Sequence, residues 1–91
     1  KILCISVNDP FVMNDWGKIH NVGNKILMVG DYNATFTKNI GAEVNLHHRG
    51  LGIRSSRYSM LVEKGIIIKI KEEETAGKCE STAAENFIKE I

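Results

Sequence analysis

The fold is decided in the stretch Ile2-Leu3-Cys4-Ile5-Ser6-Val7-Asn8-Asp9-Pro10-Phe11-Val12. The residues from Ile2 to Val7 are mostly aliphatic and β-branched, which favours a strand covered on both faces. Asp9 is a favourable N-cap, and Pro10 suits the first helical position because its missing N–H costs nothing there. The stretch therefore predicts a strand followed by a capped helix.

The predicted helix continues as a stripe of apolar side chains. Val12, Trp16 and Ile19 fall at positions i, i+4 and i+7, and Gly23 is placed to end the helix. The run from Lys25 to Val29 then predicts a second short strand, which ends at a Gly-Asp pair.

The middle of the chain has weaker periodicity. Asn33 is a candidate cap for a short helix that extends through Phe36 to Ile40. The segment from Glu43 to Gly52 has no steady period, so we predict a loop there. Loops that lead into a scaffold strand often carry binding groups, although this one could equally be plain surface.

The last third predicts a hairpin and a closing helix. The pattern predicts two strands, Tyr58 to Val62 and Ile66 to Ile70, joined by a short turn that ends in glycine. Thr82 and Glu85 form a capping box before an amphipathic helix, and the segment from Lys71 to Gly77 is predicted to be exposed. The order β-α-β-α-β-β-α predicts one α/β domain over residues 1–91, a sandwich with a mixed central sheet and flanking helices.

Composition excludes several classes of function. A net charge of +1 gives no electrostatic case for nucleic acid or an anionic membrane as partner. Apolar runs such as Ile66-Ile67-Ile68 are far shorter than the roughly 20 residues of a membrane helix. Two cysteines without metal-binding spacing predict no metal site and favour a reducing intracellular compartment. We also expect no cofactor. The sequence does not determine the compartment, and the cytoplasm or mitochondrion is favoured. Because Lys1 opens directly into a predicted strand, we expect the domain to continue upstream.

Arg57 is the leading candidate for chemistry. It stands at the mouth of a predicted buried strand, where a charge is costly unless it has a partner or a task. Its guanidinium offers five donors in a rigid fork, which suits a thiolate, a carboxylate or a polarised oxygen. The alternative is a surface arginine that flanks a strand. Arg54, three residues earlier, is predicted to be exposed.

The two cysteines differ in their predicted surroundings. Cys4 lies within an apolar strand, where a cysteine usually packs as a small hydrophobic group. Cys79 lies between a charged segment and a helix start, where its thiol would be accessible and the helix N-terminus would favour the thiolate. We expect the histidines and the acidic run to be solvated; they are His20, His47, His48 and Glu72-Glu73-Glu74.

Several motifs together resemble the type II (atypical two-cysteine) peroxiredoxins over the whole chain. They are Cys4-Ile5-Ser6-Val7-Asn8-Asp9-Pro10-Phe11-Val12-Met13 with Trp16, Gly30-Asp31 with Phe36-Thr37-Lys38, Gly50-Leu51-Gly52-Ile53-Arg54-Ser55, Arg57-Tyr58-Ser59-Met60, and Ser81-Thr82-Ala83-Ala84-Glu85. The resemblance implies a thioredoxin-like fold and the thiol-dependent reduction of hydrogen peroxide and organic hydroperoxides.

The resemblance also assigns roles to residues. In that family the peroxidatic cysteine lies in a Pro-x-x-x-Thr-x-x-Cys segment, which would fall before Lys1 and is absent from the sequence. The catalytic arginine carries over to Arg57. Cys4 matches the resolving cysteine of plant-like members, whereas that of animal-like members aligns with Ser81, two residues beyond Cys79. The chain alone is therefore expected to be inactive as a peroxidase.

The resemblance further implies partners. These are thioredoxin, or glutaredoxin with glutathione, as reductant, and a second copy of the protein in a homodimer. Candidate dimer or pocket contacts are Phe11, Trp16, Leu51 and Ile53. The alternative functions are a non-catalytic thioredoxin-like interaction module, which would use Phe11 and Trp16 to bind a partner, and a chaperone-like protein that has lost the chemistry.

Overall fold

The computed structural model describes residues 1–74 and 78–91, and it divides into two compact units, residues 1–55 and 56–91. The first unit contains β1 Ile2–Ser6, α1 Pro10–Ile19, β2 Ile26–Gly30, α2 Thr35–Asn39, β3 Glu43–Leu46, a 3-10 helix His47–Arg49 and β4 Gly52–Ser55. The second unit contains β5 Tyr58–Glu63, β6 Ile66–Glu72 and α3 Ala84–Ile88. Within the described residues, no helix is long and apolar enough to cross a membrane.

The strands pair two by two. β1 and β2 are parallel, with Cys4 opposite Met28, and α1 connects them. β3 and β4 form an antiparallel pair, as do β5 and β6. The second of these antiparallel pairs is the predicted hairpin, whose turn places Lys64 and Gly65 at positive φ. Parallel and antiparallel pairs both occur, which agrees with the predicted α/β class. The described strands form three two-stranded sheets and not one mixed central sheet.

The start of α1 confirms the cap that the sequence predicts. The carboxylate of Asp9 accepts a hydrogen bond of 2.9 Å from the backbone N–H of Val12, and Pro10 occupies the first helical position. The end of the helix differs from the prediction, because α1 ends at Ile19 and the first left-handed residue after it is Asn21, not Gly23.

The buried face of α1 is not the predicted stripe. Met13 and Gly17 are the buried residues of the helix, whereas the side chains of Val12, Trp16 and Ile19 are exposed. Gly17 lies close to β2: a Cβ atom there would lie 2.9 Å from Cγ of Met28, so an added methyl group would require the Met28 side chain to move. The helix therefore buries the Met13 side chain and its smallest residue, Gly17, and not the predicted stripe.

The cap of α2 is also supplied by a different residue. The prediction that Asn33 caps this helix is wrong, because Ala34 holds the N-cap position with a φ of 58°. The carboxylate of Asp31 reaches across the turn and accepts hydrogen bonds from the N–H groups of Phe36 and Thr37 and from the Thr37 hydroxyl.

The predicted loop from Glu43 to Gly52 is in fact mostly structured. β3 and the 3-10 helix occupy most of it, and β4 begins at its last residue and pairs with β3 so that Val44 lies opposite Arg54. The two strands have four residues each, which is too short for periodicity to reveal, and their pairing depends on the tight turn between them.

The C-terminal segment differs in its cap and in its extent. β6 continues to Glu72, so two residues of the predicted exposed segment Lys71–Gly77 belong to a strand, and residues 75–77 lie outside the described residues. The capping box is wrong, since Ala83 is the N-cap of α3 and no side chain caps it. Phe87 is the buried residue of α3, while Ile88 and Ile91 are exposed.

Candidate functional site

Arg57 lies at the entrance of β5, one residue before the strand begins. The residue is exposed, and within the described part of residues 56–91 its guanidinium has no hydrogen bond or ion pair. Its backbone is held by the neighbouring strand, because the Arg57 carbonyl accepts a hydrogen bond of 2.9 Å from the N–H of Glu73. The Ser56 hydroxyl donates to the carboxylate of Glu72 beside it. The guanidinium is thus available to a ligand while its main chain is fixed.

Glu73 is the centre of a hydrogen-bond cluster in the same unit. Its Oε2 accepts from the N–H of Glu80 at 2.7 Å, from the N–H of Thr82 at 2.9 Å and from the Thr82 hydroxyl at 2.7 Å. The side chain is only 8% exposed, so the prediction of a solvated acidic run is wrong at this residue. The hydrogen bonds from the N–H and hydroxyl of Thr82 are the main reason that the pKa of Glu73 lies below its ordinary value.

Arg54 is not the exposed residue that the sequence predicts. It is half-buried, and its Nε donates to the carbonyl of Leu51 at 2.8 Å. Its Nη1 donates to the carbonyl of Val7 at 3.0 Å and to Oδ1 of Asn8 at 3.3 Å. One guanidinium therefore joins the turn before β4 to the turn that follows β1.

Cys4 is half-buried on β1, in agreement with a packing role. Burial raises the pKa of its thiol, so at neutral pH the protonated form is favoured and the nucleophilic thiolate is disfavoured. Cys4 can act as a resolving thiol only after local opening of the strand.

Cys79 is exposed, as predicted. The predicted help from a helix N-terminus is absent, because α3 begins at Ala84, five residues later (84 − 79), and the effect of a helix terminus is confined to its first turn.

The predicted contact residues of the first unit are mostly at its surface. Phe11 is 81% exposed, Leu51 44% and Trp16 40%, whereas Ile53 is half-buried. The hydrogen bonds of Arg54 join the turn that precedes Phe11 to the turn that contains Leu51. Trp16 makes an edge-on contact with His20, with 6.3 Å between the ring centroids.

Other candidate sites are weaker. An open groove of about 710 Å³ lies between α1 and β2, and none of the predicted site residues lines it. His20, His47 and His48 are exposed. The described residues contain no group of three His, Cys, Asp or Glu side chains that could hold a metal ion.

Solved structures place this backbone in the class of thioredoxin-like α/β proteins. The crystal structure of reduced Prx3 from Vibrio vulnificus in complex with H₂O₂ matches with a TM-score of 0.87 and 37% identity, over 98% of this chain and 54% of that chain. The structure of the Plasmodium falciparum antioxidant protein, a 1-Cys peroxiredoxin, matches all of this chain and 58% of that one, with a TM-score of 0.84 and 25% identity. The predicted fold class is therefore confirmed.

The Redoxin family model matches residues 1–88, and the chain belongs to this family. Peroxiredoxin-2D of Arabidopsis thaliana is 35% identical over the whole chain, which covers 56% of that relative. Peroxiredoxin sll1621 of Synechocystis is 46% identical over 76% of the chain and 36% of its own length. The resemblance to type II peroxiredoxins is thus confirmed, and the chain spans about half the length of the curated relatives it matches or less.

Sequence reasoning and structure agree on some candidates and differ on others. Cys79 is accessible, as the sequence predicts, and Cys4 is partly buried. Arg57 is exposed, which agrees with the alternative of a surface arginine that flanks a strand, and its catalytic role stays a prediction. The contacts of Glu73 and Arg54 were missed. The two-residue turn of the hairpin would place Glu72 opposite Arg57, but the register shift at Leu61/Val62 brings Glu73 there instead. No sequence signal therefore distinguished Glu73, because a run of glutamates is usually a solvated surface.

Proposed function

We propose that these residues belong to a thiol peroxidase that reduces hydrogen peroxide and organic hydroperoxides. The observation that carries the proposal is the match to the family model over residues 1–88. Relatives named peroxiredoxin and a similar structure in complex with H₂O₂ support it. Arg57 supplies the catalytic guanidinium, and the nucleophilic cysteine lies outside the 91 residues. The protonated state favoured at Cys4 supports that division, since a peroxidatic cysteine has to be a thiolate.

The reaction needs a nucleophile and a stabilised leaving group. The thiolate sulfur attacks one peroxide oxygen, the O–O bond breaks, and the other oxygen departs as hydroxide or alkoxide, which takes up a proton. The cysteine becomes a sulfenic acid, which a second thiol converts to a disulfide with release of water. A fixed guanidinium lowers the pKa of the attacking thiol and donates to the oxygen on which negative charge develops.

Two features of Arg57 support this role. Its guanidinium is exposed and unpaired within the described part of its unit, so its donors are available to sulfur and peroxide. Its backbone carbonyl is tied to Glu73, so the side chain extends from a fixed point. A lysine at this position would keep the charge but lose the forked donor geometry.

The proposal extends to partners. Thioredoxin, or glutaredoxin with glutathione, regenerates the thiol, and Cys4 or Cys79 is the candidate for a resolving cysteine. The protein forms a homodimer through Phe11, Trp16, Leu51 and Ile53. The exposure of Phe11 and Leu51, and the guanidinium that joins their turns, support a preformed contact surface.

The experiment is a stopped-flow measurement on the complete peroxidase with and without Arg57→Lys. We expect the second-order rate constant for H₂O₂ to fall by about 10²-fold, the usual loss when one transition-state donor is removed. Arg49→Lys makes the same chemical change at an exposed arginine and should leave the rate unchanged. An isolated chain of these 91 residues should show no fast thiol-dependent turnover. Equal rates for Arg57→Lys and wild type would refute the role of Arg57.

A further inference from the structure

Arg57 has to be held in place through its main chain. Its guanidinium makes no contact of its own within the described part of residues 56–91, and the residue stands outside the β5–β6 ladder by one position. Residues at the end of a two-stranded ribbon fray unless something beyond the ladder ties them down. What ties Arg57 is the hydrogen bond from the N–H of Glu73 to its carbonyl, at 2.9 Å.

Glu73 is itself fixed by its side chain. One carboxylate oxygen accepts three hydrogen bonds, from the N–H groups of Glu80 and Thr82 and from the Thr82 hydroxyl, all between 2.7 and 2.9 Å. A buried carboxylate is costly without such partners, and hydrogen bonds to an ionised acceptor are about twice as strong as neutral ones. The backbone of Glu73 therefore cannot move away from Arg57 without disrupting this cluster.

The cluster closes on itself through β5. The hydroxyl of Ser59, two residues after Arg57, donates to the carbonyl of Thr82. Arg57 is thus linked to Glu73, Glu73 to Thr82, Thr82 to Ser59, and Ser59 back to Arg57 along the strand. A closed ring of this kind restrains the entrance of β5 from both sides.

We propose that Glu73 is a positioning residue for Arg57. It touches neither substrate nor thiol. Its carboxylate sets the position of the Arg57 main chain, and through it the reach of the guanidinium. This inference rests on the proposed function, because it assigns Glu73 a part in the reaction in which Arg57 is the catalytic arginine.

The experiment compares Glu73→Gln with Glu74→Gln in the complete peroxidase. The two substitutions remove the same charge from adjacent residues, but Glu74 is exposed. A glutamine at position 73 keeps the size of the side chain and loses the ionised acceptor, which weakens all three hydrogen bonds. We expect the second-order rate constant for H₂O₂ to fall by roughly tenfold in Glu73→Gln, a smaller loss than the roughly 10²-fold of a 1 Å misplacement. The rate should be unchanged in Glu74→Gln.

A double-mutant cycle distinguishes positioning from a general loss of structure. In an Arg57→Lys background the forked contact is already lost, so adding Glu73→Gln should change the rate by less than twofold. Thr82→Val removes the hydroxyl donor at nearly constant volume and should lower the rate constant, as Glu73→Gln does. Thr82→Ser keeps the donor and should retain the wild-type rate constant. The Thr82 pair also provides the test if Glu73→Gln does not fold.

The measured rate constants distinguish the positioning role of Glu73 from the proposed function. If Arg57→Lys lowers the rate and Glu73→Gln and Thr82→Val do not, the positioning role is wrong and the proposed function stands. If Glu73→Gln causes the same loss with arginine or lysine at position 57, Glu73 acts through overall stability and the inference is overturned. If Arg57→Lys itself has no effect, Arg57 is not the catalytic arginine and the positioning role of Glu73 is overturned with it. If the complete wild-type protein does not turn over H₂O₂, the proposed function itself fails.

Discussion

Gly30→Ala tests how tightly the end of β2 is packed against the turn that follows β1. A Cβ atom at Gly30 would lie 2.7 Å from the carbonyl oxygen of Asn8, 3.2 Å from the carbonyl carbon of Asp9 and 3.2 Å from the nitrogen of Pro10. All three are backbone atoms, and Arg54 ties the same turn through the Val7 carbonyl and the Asn8 side chain. Gly30 does not have a positive φ, so the cost of alanine is steric and not conformational.

The magnitude follows from which atoms can move. Overpacking by one methyl group costs about 1–3 kcal/mol, and we expect about 2–3 kcal/mol for Gly30→Ala because the turn is fixed at both ends. Gly17→Ala is the comparison. Its Cβ would meet Cγ of Met28 at 2.9 Å and Cγ2 of Val22 at 3.2 Å, which are side-chain atoms that can rotate away. Alanine in a helix also gains about 0.5–1 kcal/mol over glycine, so the net cost should be below about 1 kcal/mol.

The assay is urea unfolding of both variants, followed by circular dichroism, with the free energy of unfolding taken from the midpoint at constant slope. We expect Gly30→Ala to be less stable than Gly17→Ala by at least about 1 kcal/mol. A Gly30→Ala protein as stable as Gly17→Ala would show that the turn from Asn8 to Pro10 is free to shift.

Three further predictions follow from the contacts of single side chains. Arg54→Met should lower the free energy of unfolding in urea by about 2 kcal/mol, because two short hydrogen bonds from a charged group are lost at a half-exposed site. The same substitution at exposed Arg49 should lower it by less than about 0.5 kcal/mol. Equal losses would contradict the structural role of the Arg54 hydrogen bonds. Phe11→Glu should convert the complete protein from dimer to monomer, which halves the mass measured by sedimentation. Ile19→Glu, at an exposed residue of α1 outside the proposed contact, should leave the dimer intact. A dimeric Phe11→Glu protein would exclude this surface. Burial raises the pKa of Asp31, but hydrogen bonds from Thr37 and Phe36 outweigh it and hold the pKa below its ordinary value of 3.8. The stabilisation from ionised Asp31 is therefore fully present above that value and is lost as the pH falls through the lower pKa of the folded state. Asp31→Asn should make the free energy of unfolding depend less on pH below about pH 4. An unchanged pH dependence there would refute the role of the Asp31 hydrogen bonds.

The sequence by itself determined the elements whose signals are local. The Asp9 cap, Pro10 at the first helical position and the turn at Lys64 and Gly65 act between residues at most four apart, so their physics is fully present in the chain order. The family resemblance was carried by motifs of the same kind. These signals were sufficient for the α/β class, for β1, α1 and the β5–β6 hairpin, and for Arg57 as the residue to examine.

Only the tertiary structure decided the partners of charged and apolar side chains. Arg54 finds its acceptors 47 and 46 residues away at Val7 and Asn8, and Glu73 finds Thr82 nine residues on, across a segment without periodicity. The buried face of α1 combines the apolar Met13 with the close approach to β2 at Gly17, and it leaves the Val12, Trp16 and Ile19 stripe exposed. In each case the deciding energy comes from desolvation and close packing between segments that the chain order does not place together. This is why the sequence predicted exposure at two residues that the fold covers, Arg54 in part and Glu73 almost fully.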